Sequence, residues 1–201
     1  MSQSSTLKYY IIAGEASGDL HGANLIRALR AKDPEAEIRA WGGDRMEAAG
    51  ATLVKHYRDL AFMGFVEVLF NLRTILRNLK FCKEDIDAFS PDRLILIDYP
   101  GFNMRIATFA RERGLRVTYY ISPQIWAWKQ NRVYKLKRDV DQMLVILPFE
   151  KDFYARFGVE AHFVGHPLLD ALARRPAFDR EERLQAWGLS PEEPVVALLP
   201  G

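Results

Sequence analysis

The sequence predicts an α/β protein: an open, mostly parallel sheet covered by helices on both faces. Three observations carry this. Short apolar runs alternate with segments of helical periodicity along most of the 201 residues. Glycines close helical segments at Gly50, Gly114 and Gly158, shortly before the next run. The first run, 9–13, breaks at a glycine-rich turn, Gly14-Glu15-Ala16-Ser17-Gly18-Asp19, and a helix pattern follows at once.

In chain order, 9–13 is a buried strand. Leu20, Ala23, Leu25 and Leu29 then fall at helical spacing, and Ser17 or Asp19 can cap that helix. Residues 37–41 read as a second strand, 45–49 as a short helix and 52–55 as a third strand. A long helix is expected over about 65–89. Strand 93–97, helix 104–113, strand 116–121, helix 133–138, strand 142–147, helix 151–157 and strand 161–164 follow. After Leu172 the chain turns charged and proline-bearing, with a short helix pattern at 179–187. It reads as a linker, and 195–199 reads as a fresh buried strand. The expected division is a domain over 1–172, a linker over 173–194, and the first strand of a truncated second domain over 195–201.

Composition narrows the function classes. A net charge of +2 is too weak to argue for nucleic acid. One cysteine, Cys82, excludes an internal disulfide and fits a reducing compartment. No apolar run reaches the ~18 residues of a spanning helix, and the first residues lack the pattern of a signal peptide.

Ligands of open α/β sheets sit outside the carboxyl ends of the strands. Gly14 and Gly18 belong to a turn whose following helix offers free N–H groups and a positive dipole end, which suits an anion or a polar sugar. The spacing is not that of a dinucleotide fingerprint, and Glu15 inside the turn would repel a pyrophosphate. A carboxylate there is better suited to sugar hydroxyls or to proton transfer. Asp98 follows strand 93–97 and is a natural general base if partial burial raises its pKa, or else a cap for the next turn. Asn103 could orient a sugar or cap the helix beginning at Met104. Ser122, Gln124 and Trp126, with Trp128, offer the aromatic faces and polar groups of a sugar cleft. The D-x-D pairs at Asp85/Asp87 and Asp139/Asp141 and the four histidines have no metal-ligand arrangement, so no metal or other cofactor is expected.

The long helix is the least ordinary stretch. Phe65, Val68, Leu69, Leu72, Ile75, Leu76 and Leu79 form a stripe roughly 120° wide at about 100° per residue. Val66 and Phe70 lie outside it, on the flank that carries Arg73, Arg77 and Lys80. An apolar flank rimmed by cations suits the headgroups of an anionic membrane. An over-wide core helix or a contact with a second copy of the chain is the other reading.

Taken together, the segments AGEASGDLHGANL (13–25), MGFVEVL (63–69), IDYPGFN (97–103), YYISPQIWAWKQNRV (119–133), LPFEKDFY (147–154), FVGHPLLDA (163–171) and ALLPG (197–201) resemble the lipid-A-disaccharide synthases. The resemblance implies a GT-B fold, two Rossmann-like domains facing across a cleft, with this chain as the amino-terminal half. It implies a metal-independent, inverting glycosyltransferase of lipid A biosynthesis. Such an enzyme moves diacylglucosamine from its UDP ester to the 6-hydroxyl of diacylglucosamine 1-phosphate. In that reading Asp98 is the base, with Glu15 as the other candidate. Gly14, Ser17, Gly18, Asp19, Asn103, Ser122, Gln124 and Trp126 hold the acceptor. Val66, Phe70, Arg73, Arg77 and Lys80 rest on the cytoplasmic face of the bacterial inner membrane, and a homodimer is a further expectation. The donor-binding domain lies beyond Gly201, so the fragment alone is expected to be inactive. The rivals are another GT-B sugar-nucleotide enzyme such as an epimerase, and a non-catalytic binding module.

Overall fold

The computed structural model describes residues 6–60, 72–173, 177–190, 192 and 194–198. Among them the elements are β1 (Lys8–Ala13), α1 (Ala16–Lys32), β2 (Glu37–Gly42), α2 (Asp44–Ala48), β3 (Thr52–His56), α3 (Leu72–Phe89), β4 (Arg93–Ile97), α4 (Pro100–Glu112), β5 (Arg116–Tyr120), α5 (Val133–Asp139), β6 (Gln142–Val145), α6 (Pro148–Ala155), β7 (Ala161–Phe163), α7 (Pro167–Ala173) and α8 (Arg180–Ala186). The seven strands form one parallel sheet in the order β3-β2-β1-β4-β5-β6-β7. The chain winds outward from the centre in both directions, so the strand order reverses between β1 and β4.

Period-two alternation of buried apolar residues explains why helices cover both faces. Ile11, Ala13, Ile95 and Ile97 face one side and pack with Ala23 and Ile26 of α1 and Met46 of α2. Tyr10, Ile12, Leu94 and Leu96 face the other. There they meet Leu79, Cys82, Ile86 and Phe89 of α3, Phe102, Ile106 and Phe109 of α4, and Phe153 of α6. A polar cluster is embedded on this second side. Trp41 Nε1 donates to the Tyr10 hydroxyl at 2.9 Å, which donates to Asp85 at 2.7 Å, and Asp85 pairs with Arg39 at 2.6 Å. Burial, with the charge of Asp85, pushes the adjoining Cys82 thiol well above its usual range.

The chain separates into two compact units, one ending at His166 and one beginning at Pro167. Within the second unit, Asp179 caps α8, accepting from Glu181 N at 2.7 Å and Glu182 N at 3.2 Å. The strand expected over 195–199 is not found in its described residues. Residues 195–198 carry no regular structure, and Val196 and Leu198 are 84% and 87% exposed. An apolar run becomes a strand only with a partner for its ladder, and none is described here.

Other boundaries moved for local reasons. Helices expected from 104 and 151 begin at Pro100 and Pro148 instead. Proline's fixed φ and missing N–H suit the first helical position, where no hydrogen bond is required. The expected helix 65–89 is described from Leu72, and Phe65, Val66, Val68, Leu69 and Phe70 lie outside the described residues. Within α3 the buried face runs through Leu79, Cys82, Ile86 and Phe89, and Leu76 is 56% exposed. At about 100° per residue this face is rotated roughly 60° from the stripe read in the sequence. Asn78, a polar residue, is buried on it.

Asp19 does not cap α1. The α1 N-cap is Glu15, and the Asp19 side chain is buried against α2. It accepts from Gly43 N at 2.8 Å, Arg45 N at 3.2 Å and Met46 N at 3.0 Å. These are orphan donors of the α2 N-terminus, so one carboxylate ties α1 to the end of β2. Asp19→Ala should lower stability by about 1–3 kcal/mol in urea unfolding, the cost of leaving buried donors unmet. Asp19→Asn, which keeps an acceptor oxygen, should cost less.

Candidate functional site

The reversal of strand order between β1 and β4 opens a crevice at their carboxyl ends. Ala13 pairs with Ile97, so the next residues, Gly14 and Asp98, leave the sheet side by side. Gly14 is buried, and a Cβ there would collide with the Tyr99 ring. Its absence lets Tyr99 close over the loop while stacking on Phe102 at 5.6 Å. Gly18 serves packing: a Cβ would come within 3.0 Å of the Ala13 side chain, so its lack lets α1 lie close on β1.

Asp98 and Tyr99 both take left-handed backbone angles, φ 42° and 48°. Residues with a Cβ rarely adopt these, and such outliers gather at functional sites. Several contacts hold the bend. The Asp98 carbonyl accepts from Asn103 Nδ2 at 2.8 Å and from the Tyr119 hydroxyl at 2.6 Å. Asp98 N donates to Ile121 O at 3.2 Å. The result turns a half-buried carboxyl group into the crevice. Burial pushes its pKa up to about 6, the charge of Glu15 adds to the rise, and the Tyr99 backbone N–H opposes it.

Glu15 is exposed, and its carboxylate accepts from the Ser17 hydroxyl. Two carboxylates thus face one crevice, one held near neutral pH. Gln124 is exposed and Trp126 half-buried, in an irregular loop after β5. Trp126 stands edge-on to Phe149, centroids 4.9 Å apart, and its indole N–H is buried without an acceptor among the described residues. Trp128 is exposed, with Lys129 and Arg132 over its ring.

Three residues expected to touch the acceptor are buried with polar atoms turned inward. Asp19 is committed to α2. Asn103 is 0% exposed and donates to the carbonyls of Ile97 and Asp98. Because α4 starts at Pro100, Asn103 lies in its first turn and reaches back to the strand end. Ser122 is buried and donates to Glu150 Oε1 at 2.7 Å. The sequence reading missed Tyr99, Tyr119 and Glu150; a Glu at the third position after the helix start was the signal for the last. The D-x-D pairs are structural: Asp87 binds Arg113, Asp139 binds Arg138 and Thr108, and Asp141 accepts from Val117 N. Among the described residues, no group of three or more potential ligands converges on a point that could hold a metal ion.

A parallel sheet wound in this order, with polar groups at its switch point, defines a Rossmann-like domain of the GT-B type. Solved structures agree on the fold. UDP-GlcNAc 2-epimerase from Neisseria meningitidis bound to UDP-GlcNAc superposes with TM-score 0.60 at 12% identity, covering 89% of this chain and 50% of that one. The Methanocaldococcus jannaschii epimerase in complex with UDP-GlcNAc and UDP gives TM-score 0.61 at 14%, covering 90% and 53%. The family model described as lipid-A-disaccharide synthetase matches residues 9–201, and the chain belongs to that family. Lipid-A-disaccharide synthase from Geobacter sulfurreducens is 46% identical over 100% of this chain and 52% of its own length. Lipid-A-disaccharide synthase 1 from Legionella pneumophila is 43% identical over 95% and 50%. The chain spans about half the length of the curated relatives it matches.

The raised pKa has a thermodynamic sign. In the folded state Asp98 keeps its proton up to about pH 6, and in the unfolded state it loses it near 4. Its contribution to stability is therefore fully present below pH 4 and lost as pH rises through 6. Carboxyl NMR should show a midpoint near 6 for Asp98. Glu15→Gln should lower that midpoint, and Asp98→Asn should remove its share of the stability loss between pH 4 and 6.

Proposed function

We propose that this chain is the acceptor-side half of an inverting glycosyltransferase. The whole protein would transfer 2,3-diacylglucosamine from its UDP ester to 2,3-diacylglucosamine 1-phosphate, giving lipid A disaccharide 1-phosphate. The observation that carries the reading is Asp98: a half-buried carboxyl at the switch point, its pKa raised to about 6, in a chain of this family. A base with that pKa is mostly ionised at neutral pH yet still basic enough to take a proton. Asp98 removes the proton of the acceptor hydroxyl as its oxygen bonds to the anomeric carbon. The bond from that carbon to the phosphate oxygen breaks, and UDP leaves with the electron pair. One displacement inverts the centre. Glu15 and Ser17, on the exposed lip, and Gln124 and Trp126, on the facing loop, orient the acceptor. Donor binding is assigned to the length that the relatives have beyond this chain.

The test is UDP release by the full-length protein with both lipid substrates in mixed micelles. Asp98→Ala should lose about 10²–10⁴ in rate, the usual worth of general base catalysis. Wild-type kcat/KM should rise with pH through about 6, and the 201-residue chain alone should transfer nothing. Retained activity in Asp98→Ala would move the base to Glu15, and an inactive wild type would sink the reading.

We also infer that α3 meets the cytoplasmic face of the inner membrane. No described helix is long and apolar enough to cross a bilayer. The exposed side of α3 sets Leu76 and Phe81 beside Arg73, Arg77 and Lys80, an apolar rim around cations. Val66 and Phe70, outside the described residues, are proposed to meet the same membrane. Co-sedimentation with phosphatidylglycerol vesicles should weaken in high salt and in Arg73→Glu/Arg77→Glu, while phosphatidylcholine vesicles bind little. A change in protein self-association in place of vesicle binding would make this face a contact between copies.

A further inference from the structure

We propose that Glu150 sets the position of the Trp126 loop and, through it, one wall of the crevice; the inference rests on the reading that this crevice receives a sugar-bearing substrate. Residues 121–129 have no regular secondary structure, so side-chain contacts must place them. Ile125 is buried in the core, and the Gln130 side chain donates to the Trp126 carbonyl at 3.0 Å. Two consecutive residues of the first turn of α6 add contacts at Ser122 and at the Trp126 ring. Phe149 meets the Trp126 ring edge-on. Glu150, 1% exposed, divides its two oxygens between two loops. Oε1 accepts from Ser122 Oγ at 2.7 Å. Oε2 accepts from Ile146 N at 3.2 Å and Leu147 N at 2.9 Å. One buried carboxylate therefore links the end of β6 to the start of the loop that follows β5.

A carboxylate so far from water is costly unless its lone pairs are met, and here three donors meet them. The turn at the start of α6 uses only Oε2, as an acid reaching back to the helix start. A capping role leaves Oε1 unexplained. Its bond to Ser122 reaches across 28 residues and fixes the loop end opposite Trp126. The Trp126 indole N–H, buried and without an acceptor among the described residues, is the group this placement holds ready. A hydroxyl or phosphate oxygen of the acceptor is the class of ligand atom that completes it. Glu150 touches no reacting atom in this scheme. It is a positioning residue, and its effect passes through Ser122 and Trp126.

The chemistry of the pair gives the test. In the Glu150→Gln variant the side-chain amide oxygen can still accept from Ile146 N and Leu147 N. The amide nitrogen then donates to the Ser122 oxygen, whose own proton turns away. Glu150→Gln should therefore keep the loop in place. Ser122→Ala cuts only the link, and Glu150→Ala cuts everything. The full-length protein is labelled with 5-fluorotryptophan, and the Trp126 resonance is identified by its loss in Trp126→Phe. Ser122→Ala and Glu150→Ala should shift that resonance in the same direction, with Glu150→Gln at the wild-type position. The two displacing variants should raise acceptor KM several-fold more than they lower kcat, and the double variant should do no worse than the poorer single. Lost folding alone would lower the active fraction without raising KM. An unmoved resonance in both Ser122→Ala and Glu150→Ala overturns the proposal, as does a Glu150→Gln resonance displaced as far as that of Glu150→Ala. If Glu150→Ala does not fold, Ser122→Ala decides, because it leaves both α6 bonds intact. If the wild-type protein transfers no sugar, the transferase reading falls, and the fluorine resonance still judges the role of Glu150.

Discussion

The left-handed bend at Asp98 and Tyr99 is the constraint on which the crevice depends. Two consecutive residues with a Cβ in that conformation cost roughly 1–2 kcal/mol each, and the chain holds them there by contacts from four directions. Asn103 and Tyr119 grip the Asp98 carbonyl, the end of β5 accepts the Asp98 amide, and the bare Cα of Gly14 admits the Tyr99 ring. These partners come from α4, from β5 and from the turn after β1, so the bend at the end of β4 is held only when all three are in place. The raised pKa follows from the same arrangement, because the bend that turns Asp98 into the crevice also half-buries it.

Much of this was legible in the sequence. The central strands are continuous apolar runs, and parallel strands covered on both faces must read that way. The places of Gly14 and Asp98 could be read because the residue that ends such a run, in this class of sheet, stands at the carboxyl end of the strand. Side-chain direction was harder to read. Asp19, Asn103 and Ser122 carry the polar atoms that a sugar site would use, yet Asp19 and the Asn103 amide nitrogen are spent on backbone and Ser122 on a buried partner. Which way a short polar side chain turns depends on partners brought in by distant segments: Gly43 for Asp19, Glu150 for Ser122. Leu76 failed for a related reason. The buried face of α3 is set by Cys82, Ile86 and Phe89 in its second half, and a stripe fitted mainly to its first half points elsewhere. Residues 195–198 show that hydrophobic content alone does not make a strand.

Family membership and geometry constrain different things. Identity of 46% with the Geobacter protein goes with membership of one family, and coverage of 52% of that protein marks how much of its length this chain spans. The epimerases, at 12–14% identity, share the sheet and its switch point and nothing that identifies a substrate. What this chain contributes by itself is a pair of carboxyl groups of unequal environment. Glu15 sits on the exposed lip, and Asp98 sits deeper, where losing water makes it hold its proton longer.

The cluster around Tyr10 has a consequence of another kind. Cys82 is fully buried where α3 meets the sheet, and its thiol resists ionisation there. Thiolate is the reactive form, and reagent cannot reach it while α3 is seated. Its modification therefore waits on the helix lifting from β1 and β2, and the rate of labelling becomes a clock for that opening. The same helix carries the face assigned to the membrane, so the clock would slow wherever a bilayer holds α3 down.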